Sequence, residues 1–204
     1  MSATELAIRR AAVDLIAQRG YDAMTLRALA AHAGVNTTTL YVYFKGKQEL
    51  VSSLIVEYYE QLKEAWFLAR PPLVSARTAW IAFVRSHVVY HLGQPLHVKL
   101  GSLELRCIQD AAYEEALRSR ALYIAEIRGI IEQGVAEADF ECPDPDRYSH
   151  MLFDLMTRSS GWYHSPENIT EDETVWNYLR ITTKVLEPTL TTRSFAPTHI
   201  QAKI

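Results

Sequence analysis

Residues 25–50 read TLRALAAHAGVNTTTLYVYFKGKQEL, and their polar side chains are of the kinds that grip nucleic acid. Thr25 and Arg27 bring a hydroxyl and a guanidinium to the start of a short apolar-periodic segment, where free backbone N–H groups can also hold phosphate. Asn36, Thr37, Thr38 and Thr39 follow a glycine turn. Asparagine can pair with adenine, and threonine offers a hydroxyl together with a methyl that suits the methyl of thymine. Tyr41 and Tyr43 can reach backbone oxygens, and Lys47 adds a charge. Three consecutive threonines are poor helix formers with no packing reason to be there, so capping and surface filling account for them less well.

Two short helices must carry these groups. Leu26, Leu29 and Ala30 fall at i, i+3 and i+4, one apolar helical face. Gly34 can take the positive φ that a tight inter-helix turn needs, and Asn36 or Thr37 can cap the next helix. Leu40 and Phe44, four apart, bury that second helix. The pattern is a helix-turn-helix, whose second helix enters the DNA major groove.

The rest of the chain also reads as helix: about 4–19 before the motif, then about 47–68, 75–92, 95–107, 110–138, 145–162 and 170–186. In the fifth of these seven, Tyr113, Leu117, Ile124, Ile127, Ile131 and Val135 are expected inward. In the sixth, Tyr148, Leu152, Leu155, Ser159 and Trp162 line one side. Asp144-Pro145 and the Thr170/Glu173 capping box mark two starts, and Pro71-Pro72 and Pro188 mark stops. The expected fold is all-α with about nine helices and no strand. Its parts are a three-helix DNA-binding head over 1–46, a ligand-binding and dimerisation body over 47–188, and a polar, disordered tail over 189–204.

Nearly half of the 204 residues are hydrophobic and Gly and Pro are sparse, which suits a helical core. The net charge of −3 divides into +2 over residues 1–50 and −5 over 51–204, keeping the attraction for phosphate local to the head. No apolar run approaches a membrane span, and the first twenty residues lack the apolar block of a signal peptide. Cys107 and Cys142 form no short-spaced motif, so a reducing cytoplasm is expected.

Residues 5–55 resemble the TetR family of bacterial transcriptional repressors. The likeness lies in Gly20-Tyr21, Thr25, Ala33-Gly34-Val35, Leu40-Tyr41, Phe44, Lys47 and Leu50, with Tyr43 where the family commonly has His. It implies a dimer built largely on the last two helices and a small-molecule effector bound in the body. The stretch Arg158…Gly161-Trp162-Tyr163-His164-Ser165-Pro166, then Thr170 and Glu173, is similar to a C-terminal subgroup that includes steroid-catabolism repressors responding to acyl-CoA thioesters.

Within the body, Phe83, His87, Leu103, Tyr123, Ile127, Phe153 and Trp162 are the expected pocket lining, with core packing as the plainer role of the aromatic residues. Arg106 and Arg158 lie beside apolar segments. Each would pair with a carboxylate such as Glu104, Asp110 or Asp154, or with an acidic end of the effector. His87 and His91, four apart, have a metal-compatible spacing, but no cysteine or carboxylate cluster completes a set, so neither a metal nor a cofactor is expected. No catalytic motif is present, so no enzyme is expected. The expected function is a ligand-responsive regulator, most simply a repressor, binding a near-palindromic double-stranded operator as a homodimer. The rival is a protein-interaction module with a helix-turn-helix head that no small molecule governs.

Overall fold

A computed structural model describes residues 1–94, 110–159 and 169–187, and within them the chain is all-helical. Eight helices are present among the described residues: α1 Ala3–Arg19, α2 Leu26–His32, α3 Thr37–Tyr43, α4 Lys47–Ala69, α5 Ala76–Gly93, α6 Asp110–Ala136, α7 Pro145–Thr157 and α8 Glu171–Leu186. The further helix expected over 95–107 lies outside the described residues, as does the tail from residue 189. No helix among the described residues is long and apolar enough to cross a membrane.

Local chemistry sets the head's corners. Ser2 caps α1 by accepting from the Glu5 N–H. Helix α2 closes in a Schellman turn: Gly34, at φ +69°, donates to the Ala31 carbonyl, and Val35 donates to that of Ala30. Ile8, Ala12, Leu15 and Ile16 of α1 meet Met24, Leu29, Leu40 and Phe44 in the core. Helix α4 continues that core with Leu50, Val51 and Leu54, and carries Tyr58, Tyr59, Leu62 and Trp66 into the body. Arg9 fastens α1 to α4, donating to Ser53 Oγ at 3.2 Å and Glu57 Oε2 at 3.0 Å, with its guanidinium 5.3 Å from the Phe44 ring centroid.

Helix α5 is the body's centre and packs against α4, α6, α7 and α8. It is apolar on several sides, with Trp80, Phe83, Val84 and Val88 all fully buried. The Ser75 cap and the Glu137 carboxylate, which accepts from the Ala76 N–H at 2.8 Å, satisfy its first N–H groups. Both expected starts later in the chain are present: the Asp144 cap with Pro145 in the first turn of α7, and the reciprocal Thr170/Glu173 box of α8.

Of the residues expected inward on α6, Ile124, Ile127 and Ile131 are buried, but the stripe is shifted at both ends of the helix. Its buried stripe is Ala116, Ser119, Tyr123, Ile124, Ile127, Ile130, Ile131 and Gly134, whereas Tyr113 and Val135 are exposed. Ala116, Ser119 and Gly134 are small and carry little hydrophobic signal, which biases a sequence-based phase toward larger neighbours. Helix α7 ends at Thr157 rather than at 162, and Leu155 faces solvent because Ser149, Leu152, Phe153, Met156 and Thr157 form the buried side.

The turn after α6 folds Phe140 back over Gly134, whose carbonyl accepts from the N–H groups of Asp139 and Phe140. A Cβ on Gly134 would overlap the edge of the Phe140 ring. Gly134→Ala should therefore destabilise the fold by about 1–3 kcal/mol, read by urea denaturation. Most of that loss should return in Gly134→Ala/Phe140→Leu. A single variant as stable as the parent would refute the packing constraint.

Candidate nucleic-acid interface and effector site

The polar residues expected to meet DNA occupy the rim of the head. Thr25, Arg27, Asn36, Thr37, Thr38 and Tyr41 are exposed, and Thr39, Tyr43 and Lys47 are half-buried. Several are already engaged. Thr25 Oγ1 accepts from the Ala28 N–H at 3.1 Å as the cap of α2, which leaves its own proton free. Tyr43 Oη accepts from Ser2 Oγ at 3.1 Å. Lys47 Nζ stands 3.8 Å from the Tyr21 ring centroid, a cation–π contact that holds the ammonium at the first residue of α4.

Asn36 is occupied as the cap of α3. Its Oδ1 accepts from both the Thr39 N–H, at 2.7 Å, and the Thr39 hydroxyl, at 2.9 Å. Two-point pairing with adenine uses that same oxygen, so it would require the cap of α3 to open. The side-chain N–H2 remains available as a donor. Val42 is exposed beside Tyr41.

In the body, five of the expected pocket residues come together. Phe83 lies 5.6 Å from Tyr123 and 5.9 Å from His87, and Phe153 lies 5.7 Å from His87 and 6.0 Å from Tyr123, all between ring centroids. Ile127 is fully buried on the same helix as Tyr123. Leu103, Arg106 and Trp162 lie outside the described residues. Arg158 is exposed at the C-terminal end of α7, where a buried-cation role had been expected. The Asp154 carboxylate, a candidate partner for it, is instead bound by Arg120 at 3.1 Å.

Arg120 is the cation that sequence reasoning missed. Its guanidinium sits 5.1 Å from the Phe153 ring centroid and reaches Tyr59. It lies on the line from Ala116 to Tyr123, which becomes visible only once the phase of α6 is known.

Hydrogen bonding fixes the protonation of the two buried histidines. His91 Nδ1 lies 2.6 Å from the His87 carbonyl, which can only accept, so Nδ1 carries the proton. His91 Nε2 therefore accepts from the Tyr58 hydroxyl at 2.9 Å. The Thr157 hydroxyl donates to the Phe153 carbonyl, so the longer 3.4 Å contact has His87 Nε2–H donating to Thr157 Oγ1. His87 Nδ1 then accepts from Tyr123 Oη at 2.9 Å. The two imidazoles are neutral, in opposite tautomers, and stack 4.0 Å apart.

Burial, and then the neighbouring His91, hold His87 well below the usual histidine range, while burial pulls His91 down to about 4. Burial likewise raises Tyr58 and Tyr123 well above the usual tyrosine range. Two surface clefts, of about 420 Å³ beside Trp66 and Phe67 and about 400 Å³ beside Leu122 and His150, flank this ring cluster, the first reaching it through the edge contact of Trp66 with Phe83.

Because both histidines have folded pKa values below the unfolded value, the unfolded chain binds more protons as pH falls below about 6.5. Stability should be intact above that pH and fall by about 1.4 kcal/mol per pH unit for each histidine below it, until the folded value is reached, about 4 for His91. Urea midpoints from pH 7 to pH 5 measure the slope, which should be shallower in His91→Gln. An unchanged slope in that variant would show that His91 is not held neutral.

The comparisons with known proteins agree with this architecture. The profile of the bacterial regulatory proteins of the tetR family matches residues 8–54, and that of the tetracyclin repressor-like C-terminal domain matches residues 81–186. The HTH-type transcriptional repressor KstR2 of Rhodococcus jostii (strain RHA1) is 24% identical over 179 residues, 83% of this chain and 84% of its own. The fatty acid metabolism regulator protein of Bacillus subtilis (strain 168) is 26% identical over 131 residues, 64% and 68% of the two chains. Among solved structures, a regulatory protein in the tetR family from Rhodococcus RHA1 superposes with a TM-score of 0.87 at 22% identity, covering 93% of this chain and all of that one. AibR in complex with isovaleryl coenzyme A and operator DNA gives 0.80 at 14% identity, with 87% and 97% covered. FadR from Bacillus subtilis in complex with stearoyl-CoA gives 0.70 at 21%, with 89% and 99% covered. With a helix-turn-helix head and a helical body each matched by its profile, the chain belongs to the TetR family of transcriptional regulators.

Proposed function

We propose that the protein is a dimeric repressor that binds a near-palindromic operator and releases it when a small hydrophobic effector enters the body. In this reading residues 1–46 are the DNA-binding head, 47–188 the ligand-binding and dimerisation body and 189–204 a tail outside both, and the protein works in the cytoplasm. The observation that carries it is the exposed surface of α3, which bears Thr37, Thr38 and Tyr41. Thr25, Arg27 and Lys47 flank it for phosphate. Thr39, Tyr43 and the Asn36 N–H2 complete the face.

A seven-residue recognition helix spans too few base pairs to define one genomic site, so a two-fold partner must supply the rest. The exposed apolar residues Met151 and Leu155 on α7 and Val185 on α8, with half-buried Tyr178, are the surface such a partner would cover. Val185→Glu should yield monomers in analytical ultracentrifugation and lose binding to an inverted repeat recovered by genomic pull-down. A monomeric variant that still binds the full repeat tightly would overturn the dimer, and recovery of no recurrent inverted repeat would overturn the operator.

The effector site is the cluster of Phe83, His87, Tyr123, Ile127 and Phe153, with Leu103, Arg106, Trp162 and Arg158 as its further candidates. The rings touch one another, so a ligand enters only by parting α5 from α6 and α7, which gives it the differential affinity that a switch requires. An apolar lining with Arg120 at its edge suits a hydrophobic acid or an acyl-CoA thioester, the class of molecule bound in the AibR and FadR structures. Acyl-CoA thioesters of several chain lengths should raise the melting temperature and release the operator, and Arg120→Ala should weaken both effects. Stabilisation by hydrophobic cations alone would exclude an acidic effector.

A further inference from the structure

Helix α3 carries two aliphatic side chains, and they have opposite fates: Leu40 is buried and Val42 is 76% exposed. Two residues further along a helix is about 200° around its axis, so Val42 points almost directly away from the core that Leu40 anchors. Thr38, one turn earlier, is exposed on the same side, and the two make an outward ridge of β-branched side chains. Nothing in the head's folding asks for a valine here. It is a weaker helix former than the straight-chain residues, and its isopropyl group is left in water.

The groove that α3 would enter supplies a reason. Valine has no hydrogen-bonding group, so it can read a base edge only by apolar contact. In the major groove the apolar feature is the 5-methyl of thymine, which separates T from C at a pyrimidine position. We infer that Val42 is a specificity-determining residue whose isopropyl group packs on the 5-methyl of one thymine in each operator half-site. The inference rests on the operator reading above and adds to it one base and one atom group.

The test is a coupling measurement on an operator selected from a random duplex library with the full-length protein. Each thymine of one half-site is replaced in turn by deoxyuridine, which deletes the methyl alone, and affinities are read by fluorescence anisotropy. At one position the parent should lose about three- to tenfold in affinity, the worth of one buried methyl contact. Val42→Ala should lose a similar factor on the thymine operator and nothing further at that position, while its losses at other thymines match the parent's. Losses that multiply independently at every thymine would overturn the inference while leaving operator binding intact. A library that yields no preferred sequence would defeat the operator reading and this inference with it. Melting of Val42→Ala several degrees below the parent would overturn it too, by making Val42 a packing residue.

Discussion

Two imidazoles stacked 4.0 Å apart in a dry interior can coexist only while both are uncharged, and the body is organised around keeping them so. A positive charge on either would lie against the other ring with no carboxylate among the hydrogen-bond partners described. Neutrality requires a donor on one nitrogen and an acceptor on the other, for each ring. Tyr58 of α4, Tyr123 of α6 and Thr157 of α7 supply three of those four contacts, and the His87 carbonyl of α5 itself supplies the fourth. Four helices are therefore held at hydrogen-bond tolerance around a centre that oil-like packing alone would leave free to slide. The aromatic shell of Phe83, Phe153 and Trp66 then closes over it.

The head uses a different economy. Its caps draw on the same short polar side chains that could meet DNA, so one group serves two ends. Asn36 shows the conflict most clearly, because its carbonyl oxygen holds the first turn of α3 together. Thr38 and Tyr41, which cap no helix among the described residues, are freer to adapt to a base or a phosphate. Thr25 sits between these cases, since a hydroxyl can accept from its own helix while donating outward.

What the sequence discloses and what it hides follow the range of the forces involved. Caps and turns are local, so Gly34, Asp144-Pro145 and the Thr170/Glu173 box are readable from a few letters. The family likeness of residues 5–55 is of the same kind. The phase of α6 is less legible: small buried residues such as Ala116, Ser119 and Gly134 mark its inner face, and they carry little hydrophobic signal. With the phase goes Arg120, whose role beside Phe153 and Asp154 depends on that rotation. Periodicity also shows which side of α5 His87 and His91 occupy without naming partners, since Tyr58 and Tyr123 lie more than thirty residues away in the chain.

Arg9 has a consequence for modularity. A regulator with a head and a body invites transplantation of one onto another, with the cut where the recognition motif ends. Here the guanidinium of α1 is satisfied by Ser53 and Glu57, on the second and third turns of α4, and the core of the head is completed by Leu50, Val51 and Leu54. A head severed at residue 46 would keep the exposed side chains of α2 and α3 and lose the floor beneath them, exposing apolar surface and leaving Arg9 with Glu5 as its remaining ion-pair partner. Any chimera that borrows this head must carry α4 at least through Glu57, and so inherits the orientation of the helix that carries Tyr58 to the buried histidine pair. Portability is limited in this chain, because the same stretch of α4 completes the head's core and runs on into the body.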